Sequence, residues 1–428
     1  MDIAKSTMDR VTWRLVPLLI AGYFVAYLDR VNIGVASLTM NRDLGFSPGV
    51  FAFGAGIFFL GYFVFEVPSN LFLHRFGARR WIARIMLSWG VVAGAMALIQ
   101  GETSFYALRL LLGIAEAGFF PGVILYATTW FPAAYRARVV GLFAVALPLS
   151  GVIGNPVSAS LLGLNGVLGI EGWRWLFVLE AIPSVILAAV VWRRLTDRPE
   201  AASWLPPAEK AWLVAELARE APRERHAGAA AIAAAALSWP VIALSAIYFG
   251  IGASGYGLSF FLPQIVKEFG LTNLQTGFVS AIPYVAAGFG MVWWGARSDR
   301  SSERHLHAAG SFALAAAGMI GAGFASDPVV RMVMISLGAL GAFASIPVFW
   351  ALPTGLSGAA AAAGIAVVNA VGNLAGFVGP MVIAQIRTAT GSFAGGLFAI
   401  GGTAVLSALL VLMLRAAALG AAAPHPAR

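Results

Sequence analysis

The sequence predicts an all-α polytopic membrane protein, with twelve transmembrane helices in two six-helix halves, and three observations carry that prediction. Of its 428 residues, 60% are hydrophobic and only 11% charged, whereas soluble domains are about 25% charged. Apolar runs of about 20 residues, long enough as helices to cross a hydrocarbon core of roughly 30 Å, recur twelve times between charges and turn residues. Of the 28 Lys and Arg residues, 21 fall in segments on one side of such a chain and five on the other, the asymmetry that orients membrane proteins. It also accounts for the net charge of +9, so the basic excess is read as positive-inside topology rather than as a nucleic-acid surface.

The first run, near residues 14–38, follows a short polar N-terminus and is too long for the apolar core of a cleaved signal, so it is read as a retained span. Five more lie near 51–72, 81–99, 104–127, 139–162 and 174–192. The second six lie near 240–265, 275–296, 307–325, 329–351, 361–385 and 394–415. Between them the charged stretch 193–238, broken by Pro199, Pro206, Pro207 and Pro222, separates an N-terminal half (1–192) from a C-terminal half (239–428). Within it Ala208 to Glu220, with Trp212, Leu213 and Leu217 at helical spacing, predicts an amphipathic helix on the membrane surface. The basic loops place both termini in the cytoplasm. Trp13, Trp81, Trp130, Trp173, Trp192 and Trp239 stand at span edges and read as an interfacial belt. Gly90-x-x-x-Gly94 and Gly118-x-x-x-Gly122 read as close internal packing, and the four glycines from Gly250 to Gly257 as a flexible or broken helix.

The first span contains Tyr27-Leu28-Asp29-Arg30-Val31-Asn32. An ionised residue at a helix centre costs about 2.5–3.5 kcal/mol, so an acid and a base there point to a polar cavity. The ionisable residues within spans are Asp29, Arg30, Glu66, Arg109, Glu116 and Glu180, all in the first half. The second half supplies neutral polar groups: Tyr256, Gln264, Ser280, Tyr284, Asn369 and Asn373. Arg109 and Glu116 are seven residues apart and therefore share a helix face, roughly 10 Å apart along the axis. Guanidinium forks suit carboxylates, which makes Arg30 and Arg109 substrate clamps. Asp29 and Glu116, in sites where burial and arginines compete over their protons, are the proton-loading groups. A static salt bridge from Asp29 to an arginine is the plain alternative, and the second carboxylate and second arginine weigh against it. Tyr62 reads as a hydroxyl donor to the same cavity or as a packing or interface residue, and Asn369 and Asn373, four apart on one face, as pocket-lining residues or as helix-to-helix hydrogen bonders. Glu66, just before Pro68, reads as a gate or a partner of Arg75 or Arg138, and Glu180 as structural.

Other chemistries find little support. The chain has no cysteine, which removes disulfide frameworks, thiolate zinc sites and thiol nucleophiles. Gly45-Phe46-Ser47-Pro48-Gly49 matches a hydrolase elbow but falls in an outer loop with no strand before it. No lysine follows a glycine-rich phosphate loop, and His74, His226, His305, His307 and His425 all stand outside the spans. No metal, cofactor or enzymatic reaction is expected.

His74-Arg75-Phe76-Gly77-Ala78-Arg79-Arg80 follows the second span, and Gly295-Ala296-Arg297-Ser298-Asp299-Arg300 follows the eighth. Six spans plus six with this repeated basic loop resembles the major facilitator superfamily. The second copy keeps the family's Asp299-Arg300, whereas the first has His74 at the aspartate position. That substitution, with Tyr27 to Asn32, Glu66-Val67-Pro68-Ser69-Asn70, Gly113 to Gly122 and Phe260-Phe261-Leu262-Pro263-Gln264, is similar to the anion:cation symporter branch. The resemblance implies a monomeric secondary transporter of the bacterial inner membrane. It would take up a small organic anion, a tartrate-like hydroxy acid or a sugar acid, with protons by alternating access. It implies proton coupling at Asp29 and Glu116 and anion contacts at Arg30 and Arg109, while Glu66, His74, Arg75, Asp299 and Arg300 are read as gating or structural residues. The rivals are an efflux antiporter, whose glycine-proline pattern is missing from Pro148 to Pro156, an organophosphate exchanger, and a non-transporting sensor.

Overall fold

The computed structural model of the chain describes residues 2–220, 237–301, 303–352 and 359–422; the side chains of His74, Ala137, Arg138, Ala366, 359–363 and 418–422 lie outside that description. Pro222, His226 and His425 also fall outside it. Among the described residues every long element is an α-helix, as hydrocarbon demands when no water is at hand to satisfy an open backbone group. Twelve segments are long and apolar enough to cross a membrane, from Ile3–Leu44 to Ala394–Ala417. The chain divides into two compact units, Met1–Phe46 with Ile57–Glu224, and Ser47–Gly56 with Arg225–Arg428.

The first unit holds α1 (Ile3–Asp43), most of α2 (Pro48–Phe76), α3 (Ala78–Ala95), α4 (Glu102–Glu116), α5 (Phe119–Thr128), α6 (Ala133–Leu162), α7 (Gly172–Arg194) and α8 (Pro207–Glu220). Asp2 caps α1 by accepting from the Ala4 amide at 3.0 Å. Helix α3 packs along α7, and α1 along α6 and α7. Glycine sets the closeness of these contacts: a Cβ on Gly90 would lie 2.9 Å from Ser184 Cβ, and one on Gly61 2.6 Å from the Leu110 carbonyl. Where lipid tails are as apolar as leucine, such close packing is what holds helices together.

Two expectations are corrected in this unit. The fourth span is not one helix: it breaks at Ala117–Gly118, directly after Glu116, and Gly118 adopts φ +84°, a left-handed conformation that favours glycine. Trp130 and Trp173 are fully buried and belong to the core, not to an interfacial belt, whereas Trp13 is 79% exposed. Helix α8 covers the stretch read as an amphipathic helix and is tied to its neighbours. Leu213 is buried, Glu209 accepts from Ser6 Oγ at 2.9 Å and Arg10 Nε at 3.0 Å, and Glu220 accepts from the Ala133 amide at 2.8 Å, so the helix docks onto α1 and the start of α6.

The second unit holds α9 (Trp239–Lys267), α10 (Asn273–Ser301), α11 (His305–Phe324), α12 (Pro328–Trp350), α13 (Ala359–Thr390) and α14 (Ala394–Ala422). Its core joins Leu244, Ile247, Phe312, Phe349, Val368 and Val411. The expected break at Gly250 to Gly257 is absent, for α9 runs through it unbroken. Those glycines serve approach instead: a Cβ on Gly252 would lie 2.7 Å from the Gly372 carbonyl, and one on Gly257 2.8 Å from Ile383.

Candidate functional site

At about 100° per residue, neighbours on a helix face different directions, and Asp29 and Arg30 on α1 find different partners. Asp29 is 2% exposed; its Oδ2 accepts from Trp89 Nε1 of α3 at 2.9 Å and from Ser184 Oγ of α7 at 3.2 Å, and its Oδ1 accepts no hydrogen bond. The same indole N–H lies 2.9 Å from Ser184 Oγ. Arg30 turns to α4, where Nε donates to Glu116 Oε1 at 2.7 Å and Nη2 reaches the same oxygen at 2.5 Å. Glu116 is fully buried, and its second oxygen accepts no hydrogen bond. The expected alternative, a static bridge from Asp29 to an arginine, is not what forms; the buried pair is Arg30 with Glu116.

Aromatic rings enclose this pair. The Arg30 guanidinium carbon lies 5.2 Å from the Tyr27 ring centre, 5.4 Å from Phe58 and 5.0 Å from Tyr62. Arg109, 1% exposed, lies 5.0 Å from the same Phe58 ring. Rings at this range attract a cation through their quadrupole without neutralising it. Phe58 sits between the arginines because α2 and α4 touch backbone to backbone: any side chain in place of Gly113 would collide with the Phe58 carbonyl. Tyr62 thus meets Arg30 through its ring. One turn beyond Asp29, Asn32 Nδ2 donates to Glu180 Oε2 at 3.0 Å, and Ser158 Oγ of α6 donates to Glu180 Oε1 at 2.6 Å.

In the second unit Gln264 Oε1 accepts from Arg387 Nη1 at 2.7 Å, and that guanidinium lies 3.9 Å over the Phe393 ring. Arg387 stands in the last turn of α13. Tyr256 stacks on Phe260 with ring centres 6.3 Å apart. Asn369 and Asn373 are half-buried on one face of α13. Tyr284 is spent inside the bundle, donating to Ser259 Oγ at 3.0 Å.

The loop residues are not gathered into one cluster. The Glu66 carbonyl accepts from Asn70 Nδ2 at 3.0 Å, and Arg75 lies 5.6 Å over Phe76. The side chains of His74 and Arg138 are outside the described set. Asp299 pairs with Arg304 at 2.5 Å, while its neighbour Arg300 is exposed. The first inner loop takes its acid from elsewhere: Asp197 accepts from the Arg79 amide at 2.8 Å. Sequence reading missed Asp197, Phe58, Trp89, Ser158 and Ser184. Each reaches its partner from another segment, and only Ser184, four residues after Glu180, carried a helical-spacing signal.

The family profile described as the Major Facilitator Superfamily matches residues 19–380 and 244–426. The chain is 51% identical over 414 residues to the "Putative tartrate transporter" of Agrobacterium vitis, covering 96% of this chain and 95% of that one. It is 42% identical over 403 residues to the "Quinolone resistance transporter" of Acinetobacter baumannii, covering 93% and 92%. The solved structure of the xylose transporter XylE from E. coli, in a partially occluded inward open conformation, is similar at a TM-score of 0.73 and 15% identity, over 94% of this chain and 98% of that one. At that identity the likeness is one of fold.

Proposed function

The chain belongs to the Major Facilitator Superfamily, and we propose that within it the chain is a proton-coupled symporter for a small organic carboxylate of the tartrate-like or sugar-acid class. It is a membrane transporter and not an enzyme. The observation that carries the proposal is the buried pair of Arg30 and Glu116, 2.5 Å apart. A proton on Glu116 removes the charge that holds the guanidinium, and the freed fork then takes a carboxylate of the substrate. Proton and anion therefore favour each other's binding, which is the thermodynamic content of symport. Arg109, sharing the Phe58 ring, supplies a second clamp suited to a diacid. Asp29 is the second proton-linked carboxylate. Tyr62 assists Arg30, and Tyr256, Gln264, Asn369 and Asn373 of the second unit contact the substrate's neutral polar groups. Glu66, His74, Arg75, Asp299 and Arg300 act in gating.

The name of the Agrobacterium vitis relative supports tartrate as the first substrate to try. We place the chain in the bacterial inner membrane as a monomer with cytoplasmic termini, cycling by alternating access. The Acinetobacter baumannii relative favours a second reading, drug efflux. Reconstitution separates the two: in proteoliposomes an inward proton gradient should drive accumulation of labelled tartrate, and abolishing the gradient should stop it. Absence of gradient-driven tartrate or sugar-acid uptake, together with quinolone resistance in an overexpressing strain, would favour efflux.

A further inference from the structure

The Arg30–Glu116 mechanism leaves Glu180 unused, although it is 3% exposed in the middle of the same polar cluster. Helices α1 and α7 face each other there through two rungs. Asp29 accepts from Ser184 at 3.2 Å, and one turn along Asn32 donates to Glu180 at 3.0 Å. The two carboxyl groups thus lie on adjacent helices within about a turn of each other, roughly 5 Å along the axes. Among the described residues neither makes an ion pair: Asp29 has an indole and a hydroxyl, and Glu180 an amide and a hydroxyl. Helix α7 packs against α1, α3 and α6, and the charged group those helices bring into electrostatic reach is Asp29, with Glu116 next to it. Of the neighbouring cations, Arg30 is on Glu116, Arg84 of α3 lies 3.9 Å over Trp81, and Arg174 of α7 is on Glu171 at 2.7 Å, while Arg109 of α4 stands within electrostatic reach of Glu116 and Asp29.

Three buried carboxyl groups, Asp29, Glu116 and Glu180, share the cluster with two buried guanidiniums, Arg30 and Arg109, and a surplus negative charge is costly away from water. Acceptors are also in surplus, since Asp29 Oδ1, Asn32 Oδ1 and Glu116 Oε2 are buried and accept nothing. One added proton balances the charge and supplies a donor where acceptors outnumber donors. Glu116 holds a guanidinium directly, which leaves Asp29 and Glu180 to carry that proton. Ser158 and Ser184 fit the task, because a hydroxyl donates to an ionised carboxylate and accepts from a protonated one by rotating its O–H.

We propose that Glu180 is a proton-carrying residue of this transporter, sharing with Asp29 a proton separate from the one that exchanges on Glu116. The role in transport rests on the symport reading above; the location of the proton does not. The test therefore has two readouts on the full-length protein. Infrared difference spectroscopy of purified protein in nanodiscs, titrated through neutral pH, reports protonated carboxyl groups by their C=O stretch. Proteoliposomes with an internal pH dye report protons moved per tartrate. Glu180→Gln should lose one protonated-carboxyl band and move one proton fewer per tartrate, with tartrate counterflow preserved. Glu180→Asp should restore the proton count with the band displaced, and it serves alone if Glu180→Gln does not fold. A band that neither variant removes nor displaces, with an unchanged proton count, overturns the inference and leaves symport standing. A band lost in Glu180→Gln while wild-type protein shows no proton-driven uptake upholds the shared proton and rejects the symport reading.

Discussion

The guanidinium of Arg30 is held by one carboxylate and bordered by the rings of Tyr27, Phe58 and Tyr62. This arrangement keeps its charge while limiting the partners it can take. A lysine there would keep the charge and lose the fork. Arg30→Lys is therefore expected to weaken tartrate binding by about 1.5 kcal/mol or more, roughly a tenfold rise in KM, with the folded protein retained; an unchanged KM would mean that Arg30 does not hold the anion. Phe58 touches both arginines, so Phe58→Leu should cost about 0.5–2 kcal/mol in the same measurement. The identity of the charged residues was legible in the sequence, because acids and bases stand out in apolar runs. Their pairing was not. Asp29 and Arg30 are adjacent in the chain, yet each is partnered across the bundle, by Trp89 and Ser184 in one case and Glu116 in the other.

Glycine decides what the helices can do, and in two opposite ways. Gly118, two residues after Glu116, separates α4 from α5 with a positive φ, and a Cβ there would press into the Ser69 side chain. Gly118→Ala should therefore destabilise by about 1–3 kcal/mol, seen as a lower Tm in detergent. Adding Ser69→Gly should recover the part due to the collision and leave the part due to the backbone; full retention of Tm in Gly118→Ala would remove the argument. The glycines of α9 have ordinary helical φ and accommodate Gly372 and Ile383 instead. A glycine-rich run looks the same in sequence whether it breaks a helix or seats a neighbour, since both need only a missing Cβ. That is why the break was expected at Gly250 to Gly257 and found at Gly118. Helix α8 was legible as an element, but the Glu209 and Glu220 contacts that dock it were not, because Ser6, Arg10 and Ala133 are far off in sequence.

At the scale of the whole molecule, hydropathy was enough to give twelve spans, because bilayer thickness fixes the length of a span and the backbone has no alternative to helix, while the family was legible only through the resemblance of the repeated inner-loop motif and the stretches around Asp29, Glu66 and Glu116. The substrate was not legible, since a guanidinium fork accepts any carboxylate. The central claim is that the proton acts by releasing Arg30 from Glu116. It is tested most directly by comparing wild-type protein and Glu116→Gln in proteoliposomes for two activities, accumulation of labelled tartrate under an inward proton gradient and tartrate counterflow at equal pH. The account predicts that Glu116→Gln, permanently neutral at this position, keeps counterflow and loses accumulation. Accumulation by Glu116→Gln equal to wild type, with the same dependence on the proton gradient, would contradict it.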